Sequence, residues 1–150
     1  MKIVKINDGQ YVNYIGEPEL LFSFFSTVAH HLEKRRWGER FPAIMKDLYV
    51  GELPYEKADQ ALKELQTIRT ELERYTPSEV IWDFYDLSKQ PPWGDEISSD
   101  ITSLANYHVT VLGDVLIPVI ESKLRAAAKR KMNVTLEAID PRAITTVVIT

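Results

Sequence analysis

The chain has 150 residues, 45% hydrophobic and 27% charged, a balance that suits one compact globular domain (1–150) whose core needs no metal or disulfide to hold it. The absence of cysteine excludes disulfides, thiol nucleophiles, Cys-ligated zinc and iron–sulfur clusters, and is compatible with a reducing, cytoplasmic setting. A formal charge of −4 argues against a non-specific nucleic-acid binder, no apolar run approaches the roughly 18–20 residues of a membrane span, and the N-terminus does not read as a signal peptide.

Lys2–Ile6 and Tyr11–Ile15 read as a hairpin, with Asp8-Gly9 suited to the positive φ angles of a type I′ turn. In that register Val4, Ile6, Tyr11 and Ile15 share one face. From Pro18 the period changes: Leu20, Leu21, Phe24, Phe25, Val28, Ala29 and Leu32 predict a helix to about Arg36, with Gly38 as its stop. Phe41–Pro54 is apolar without a clear period and reads as a loop with one short helical turn. A second helix spans about Tyr55–Tyr75, with Ala58, Ala61, Leu62, Leu65, Ile68 and Leu72 inward and a charged outer face.

Val80–Phe84 reads as a short buried strand, followed by a polar loop through Asp100. Leu104–Val111 is open between strand and extended loop. A third helix starts near Asp114 with Pro118 in or beside its first turn, and Lys129-Arg130-Lys131 complements the dipole at its far end. Asn133–Ile139 and Ile144–Ile149 are strand candidates around Asp140-Pro141. Without regular βαβ alternation the order predicts an α+β fold: an antiparallel or mixed sheet with about three helices packed on it.

The search for chemistry is mostly empty. His30 and His31 are adjacent on a helix and cannot make the stacked i, i+4 pair of a zinc hydrolase, and they and His108 are read as structural. There is no glycine-rich phosphate cradle and no Gly-x-Ser-x-Gly nucleophile elbow. Composition and motifs point to no catalytic residue, no cofactor and no metal.

Charge distribution is the feature that stands out. From Thr76 to Asp114 seven acids face one base, a local charge of −6, whereas Val115–Arg142 has six bases against three acids, or +3. The acidic stretch holds Trp82, Phe84, Tyr85 and Trp93, with Pro91-Pro92 stiffening the chain before Trp93. Asp83, Asp86, Pro92, Trp93, Asp95, Glu96 and Asp100 are the candidate partner-binding residues: aromatics supply contact area at low entropic cost and acids steer a basic partner. A plain solvated loop, with Trp82 facing the core and Trp93 folded back on a helix end, is the open alternative.

The segment VIWDFYDLSKQPPWGDEISSDITSLANYHVTVLGD, Val80–Asp114, resembles the immunity protein 70 family of bacterial polymorphic-toxin systems. His108 stands where Phe is expected after Asn106-Tyr107, and Val111-Leu112-Gly113-Asp114 stands where a Ser/Asp-Gly turn is expected, as in a sister group of the family. The resemblance implies a non-catalytic inhibitor that binds a cognate toxin domain, with no direct nucleic-acid or membrane partner, as a monomer or small homo-oligomer. The competing class is an enzyme or small-ligand-binding protein with a carboxylate-lined cleft.

Overall fold

The computed structural model describes residues 2–143 and is an α+β fold. Strands β1 (Ile3–Asn7), β2 (Val12–Gly16), β3 (Glu52–Leu53) and β4 (Val134–Ile139) form an antiparallel sheet in the order β2-β1-β4-β3. Helices α1 (Pro18–Leu32), α2 (Ala58–Leu72) and α3 (Leu116–Arg130) complete a core to which one sheet face contributes Val4, Ile6, Ile15 and Val134. The other face carries polar residues such as the cross-strand pair Lys5–Glu137, 3.5 Å apart. The expected strand Ile144–Ile149 lies outside the described residues.

The hairpin forms as expected, but its turn differs. Gly9 has a positive φ of 93° and Asp8 does not, so the connection is a four-residue loop, Asp8–Tyr11, in place of a type I′ turn. Asp8 decides this: its buried carboxylate accepts the N–H groups of Gln10 (2.9 Å) and Tyr11 (2.8 Å), a grip that holds Asp8 itself out of the left-handed region. Tyr11 therefore leaves the buried face and is exposed, with the Arg130 guanidinium 5.4 Å from its ring centre. Beneath the loop the buried Lys123 ammonium lies 3.5 Å from Asp8 and donates to the Tyr11 carbonyl at 2.8 Å.

Helix α1 ends at Leu32, four residues before the sequence-based limit. Lys34 and Arg35 take left-handed φ angles of 51° and 65°, and the Arg35 N–H closes back on the Ala29 carbonyl at 2.9 Å, one residue wider than the six-to-one bond of a Schellman stop. Two successive non-glycine residues in that region are costly, and the buried Glu33 offsets the cost. Its carboxylate receives the N–H groups of Gly38 (2.9 Å), Arg40 (3.1 Å) and Phe41 (2.9 Å), organising the loop that follows.

The aperiodic stretch after Phe41 is a π-helix, Ala43–Leu48, followed by β3. Its wider i→i+5 bonding, such as Tyr49 N–H to Ile44 carbonyl at 3.3 Å, turns Ala43, Ile44, Met45 and Leu48 to the core, a pattern no 3.6-residue period describes. The start of this helix is capped from another element: the buried Glu64 of α2 accepts the N–H groups of Ala43 (3.3 Å) and Ile44 (2.9 Å). The second predicted helix divides into a 3₁₀ turn at Tyr55–Lys57 and α2 itself. The third starts at Leu116, with Pro118 in its first turn.

Val80–Phe84 is not a strand. It runs along the back of α1, where Ser23, Ser26 and Thr27 are fully buried beneath it. The Ile81 carbonyl accepts from Ser23 Oγ (2.8 Å) and Thr27 Oγ1 (3.2 Å), the Ile81 N–H donates to Thr27 Oγ1 (3.1 Å), and the Phe84 N–H donates to Ser26 Oγ (3.0 Å). Helix hydroxyls thus supply partners that a neighbouring strand would otherwise provide. His108, in the extended piece that ends with a single bridge between Val109 and Val115, is buried 3.0 Å from Ser23 Oγ. Because that hydroxyl donates to Ile81, the imidazole is the donor through Nε2, leaving Nδ1 unprotonated. Burial pushes the His108 pKa down to about 3, which keeps the ring neutral.

Two measurements check these assignments. Burial alone raises the Asp8 carboxyl, but the Tyr11 and Gln10 N–H groups and the Lys123 ammonium outweigh it, so Asp8 titrates below its usual range. Lys123→Met leaves that charge buried and is expected to cost about 3 kcal/mol in urea unfolding at pH 7. The deficit narrows as pH falls through the depressed Asp8 pKa; a loss under about 1 kcal/mol at neutral pH removes the pair from the account. His108 acts in a higher window: the unfolded chain takes up a proton below about pH 6.5 that the folded chain refuses, so stability falls by up to about 1.4 kcal/mol per pH unit between roughly pH 6 and 4. His108→Phe removes that component, and an unchanged pH slope in the variant contradicts a neutral buried imidazole.

Candidate partner-binding surface

Beyond Phe84 the chain stays irregular to Val115, and its backbone is fastened to the core at intervals. After the α1 hydroxyls, the Leu104 N–H reaches the Tyr75 carbonyl at 3.1 Å, the Val111 N–H reaches the β2 carbonyl of Ile15 at 2.9 Å, and the Leu116 N–H reaches the His108 carbonyl at 2.9 Å. Between Phe84 and Leu104 lie all but one of the predicted contact residues.

Pro91–Gly94 is a turn closed by the Gly94 N–H on the Pro91 carbonyl at 2.9 Å, with Gly94 at a φ of 58°. Pro91 is buried and Pro92 exposed. Trp93 is 40% exposed, its indole N–H donating to the Tyr107 hydroxyl at 2.9 Å and its ring edge-on to Trp82 at 5.4 Å. It is therefore held on one side and presented on the other. Burial raises the Tyr107 hydroxyl pKa, against the pull of the Trp93 N–H and with a further push from the Asp95 charge, so the phenol stays protonated.

Two shallow grooves adjoin this tryptophan–tyrosine pair. One, of about 320 Å³, is lined by Leu20, Trp93, Ile97, Ile101 and Tyr107, with Glu96 among its polar lining. The other, of about 430 Å³, is lined by Pro77, Val80, Pro91 and Tyr107, with Asp95. Asp95, Glu96 and Asp100 are exposed, and among the described residues no ion pair involves them. The structure thus brings Pro92, Trp93, Asp95 and Glu96 onto one loop, with Asp100 on the next turn.

Asp83 and Asp86 are placed differently. Asp83 accepts the Tyr85 N–H at 2.8 Å and pairs with Lys89 at 3.2 Å, the one base of the acidic stretch. Asp86 is exposed and accepts the Ser88 hydroxyl at 2.6 Å and its N–H at 3.1 Å, bonds that lower its pKa. Both carboxylates are engaged in local turns. The three histidines serve the packing: besides His108, His31 donates through Nε2 to the Glu79 carbonyl at 2.7 Å and stacks near Tyr75, and His30 lies edge-on to His31.

A second surface escaped the sequence reading. Tyr85 is 81% exposed and stacks on Phe22, which stacks in turn on Trp37, itself packed against Tyr49 and Phe84; Val50 is exposed beside Tyr49. Trp37 and Tyr49 belong to stretches without hydrophobic period, and the only signal was their aromatic content.

Among the described residues no group of three His, Asp or Glu side chains could hold a metal ion, and no helix is long and apolar enough to cross a membrane. Neither a curated protein nor a solved structure matches the chain. The family model described as Immunity protein 70 matches residues 5–136, from within β1 to within β4 with all three helices and the irregular segment with its tryptophan turn, and the chain belongs to that family.

Proposed function

We propose that the protein neutralises a cognate polymorphic-toxin domain by binding it one to one, without catalysis, in the cytoplasm of the cell that makes the toxin. The chain acts in this reading as one unit, 1–150, a monomer or small homo-oligomer that needs no cofactor and touches neither nucleic acid nor membrane. The family match over residues 5–136 carries the proposal. The Trp93 face supports it: an aromatic ring already fixed by Tyr107 and Trp82 loses little freedom on contact, and among the described residues no cation pairs with Asp95, Glu96 or Asp100.

Pro92, Trp93, Asp95, Glu96 and Asp100 are the proposed contact residues, with Asp83 and Asp86 contributing field more than contact because their oxygens are engaged in turns. A basic toxin surface suits this charge, and for a nuclease toxin the acidic loop would occupy the place of the polyanionic substrate. The grooves do not favour the alternative of paired catalytic carboxylates, since Asp95 and Glu96 line different depressions.

Co-expression with the toxin domain encoded by the neighbouring gene is expected to restore growth and yield a co-purifying complex. In that complex Asp95→Lys with Glu96→Lys slows association and flattens its decline with salt, while the melting temperature of the free protein holds. Trp93→Ala acts on dissociation, weakening binding by about 2 kcal/mol, near thirtyfold. Intact kinetics in both variants, with growth rescued, transfers the interface to the Tyr85 and Tyr49 surface; absence of any complex ends the toxin reading.

A further inference from the structure

Of the two depressions beside Trp93, the one of about 320 Å³ has the more selective lining. Leu20, Ile97 and Ile101 make it aliphatic, Trp93 and Tyr107 add aromatic surface, and Glu96 is its one carboxylate. These parts are fixed before any partner arrives. The Glu96 N–H closes a turn on the Trp93 carbonyl at 3.1 Å, the Ile101 N–H closes the next on the Ser98 carbonyl at 3.1 Å, and the Trp93 indole N–H is bonded to the Tyr107 hydroxyl at 2.9 Å. A groove held in this way loses little freedom when it is filled.

Its charge is equally one-sided. Glu96 is exposed, as are Asp95 and Asp100 in the same stretch and Glu17 and Glu19 just ahead of Leu20, and among the described residues none of the five takes part in an ion pair. An apolar side chain seated here would strip water from Glu96 and return no hydrogen bond, and an acidic one would be repelled. A lysine would meet the charge, but its ammonium is a compact, strongly hydrated point. An arginine meets every part of the lining: its methylene stem suits the aliphatic side chains, and its planar, weakly hydrated guanidinium stacks on an indole while its N–H fork reaches a carboxylate.

We propose that this groove is the seat of one arginine side chain of the protein partner, with the stem along Leu20, Ile97 and Ile101 and the guanidinium between the exposed part of the Trp93 ring and the Glu96 carboxylate. The inference rests on the toxin-binding reading and names the chemistry that the Trp93 face selects. The neighbouring depression, which Asp95 lines, has no tryptophan in its lining and offers no such stacking surface.

The side chain itself can be titrated into the free protein and followed by NMR. N-acetyl-L-arginine methylamide is expected to shift the Trp93 indole N–H resonance saturably, and the uncharged citrulline analogue to bind about fivefold more weakly, with the lysine analogue between them. Glu96→Gln, at an exposed position, weakens the arginine derivative about fivefold, whereas Asp95→Asn, in the other depression, changes it by less than about twofold. No saturable shift, equal binding of the arginine and citrulline derivatives, or full affinity in Glu96→Gln each overturns the proposal. In the toxin complex, replacing the seated arginine by alanine costs affinity with the wild-type protein and much less with Glu96→Gln. A complex in which no toxin arginine couples to Glu96 overturns the proposal and leaves the toxin reading standing; absence of any complex ends the toxin reading, and the titration still decides what the groove accepts.

Discussion

The irregular quarter of this protein depends on three hydroxyls on the back of one helix. Ser23, Ser26 and Thr27 are buried on the side of α1 opposite Leu21, Phe24, Phe25 and Val28, and they receive the backbone of Ile81 and Phe84. A carbonyl and two N–H groups of a non-repetitive segment would be costly to bury unpaired. Meeting them with side-chain oxygens lets the segment lie across α1 without a sheet beside it. The same hydroxyls explain why α1 has no charged residue from Leu20 to His30: the helix is covered on nearly every side, and each side needs apolar or short hydroxyl groups.

A second economy runs through the acidic residues. Asp8, Glu33 and Glu64 are buried, and each binds backbone N–H groups: the hairpin loop, the stretch after α1 and the start of the π-helix. Glu71 grips Arg40 on the same side of the fold, lowering its own pKa through that hydrogen bond. These carboxylates fix non-repetitive backbone in the way a helix cap does, but from a distance in sequence. The acids of the loop around Trp93 have no such duty, so acidity there is a surface property and acidity elsewhere is architecture.

This division sets the limit of what the sequence could tell. The hairpin, the apolar stripe of α1, the spacing of α2 and the start of α3 near Pro118 were legible because each follows a local period or cap. The helix stop at Leu32 was not, because Glu33 works through residues five to eight positions on. Val80–Phe84 has the composition of a buried strand, but it lies half-buried on α1, where the distant Ser23, Ser26 and Thr27 take its backbone groups. The π-helix hid because its apolar residues follow neither period. For the surface, Trp93 was found by its setting between Pro-Pro and Gly. Tyr85 and Tyr49 were not linked, since Phe22 and Trp37 join them in space and nothing joins them in sequence.

The fastening of the irregular segment also bears on how such a protein could change its partner. The backbone is pinned at Ile81 and Phe84, then at Leu104, Val111 and Leu116, and the stretch from Tyr85 to Ser103 is secured mainly by its own turns and by the Trp93–Tyr107 contact. Asp95, Glu96 and Asp100 are exposed, so charge there can be rewritten at little cost to folding. The pins cannot be altered so freely, because each satisfies a backbone group against the core. A rigid frame with an adjustable rim separates stability from surface chemistry, since substitution can act on the rim while leaving the pins intact.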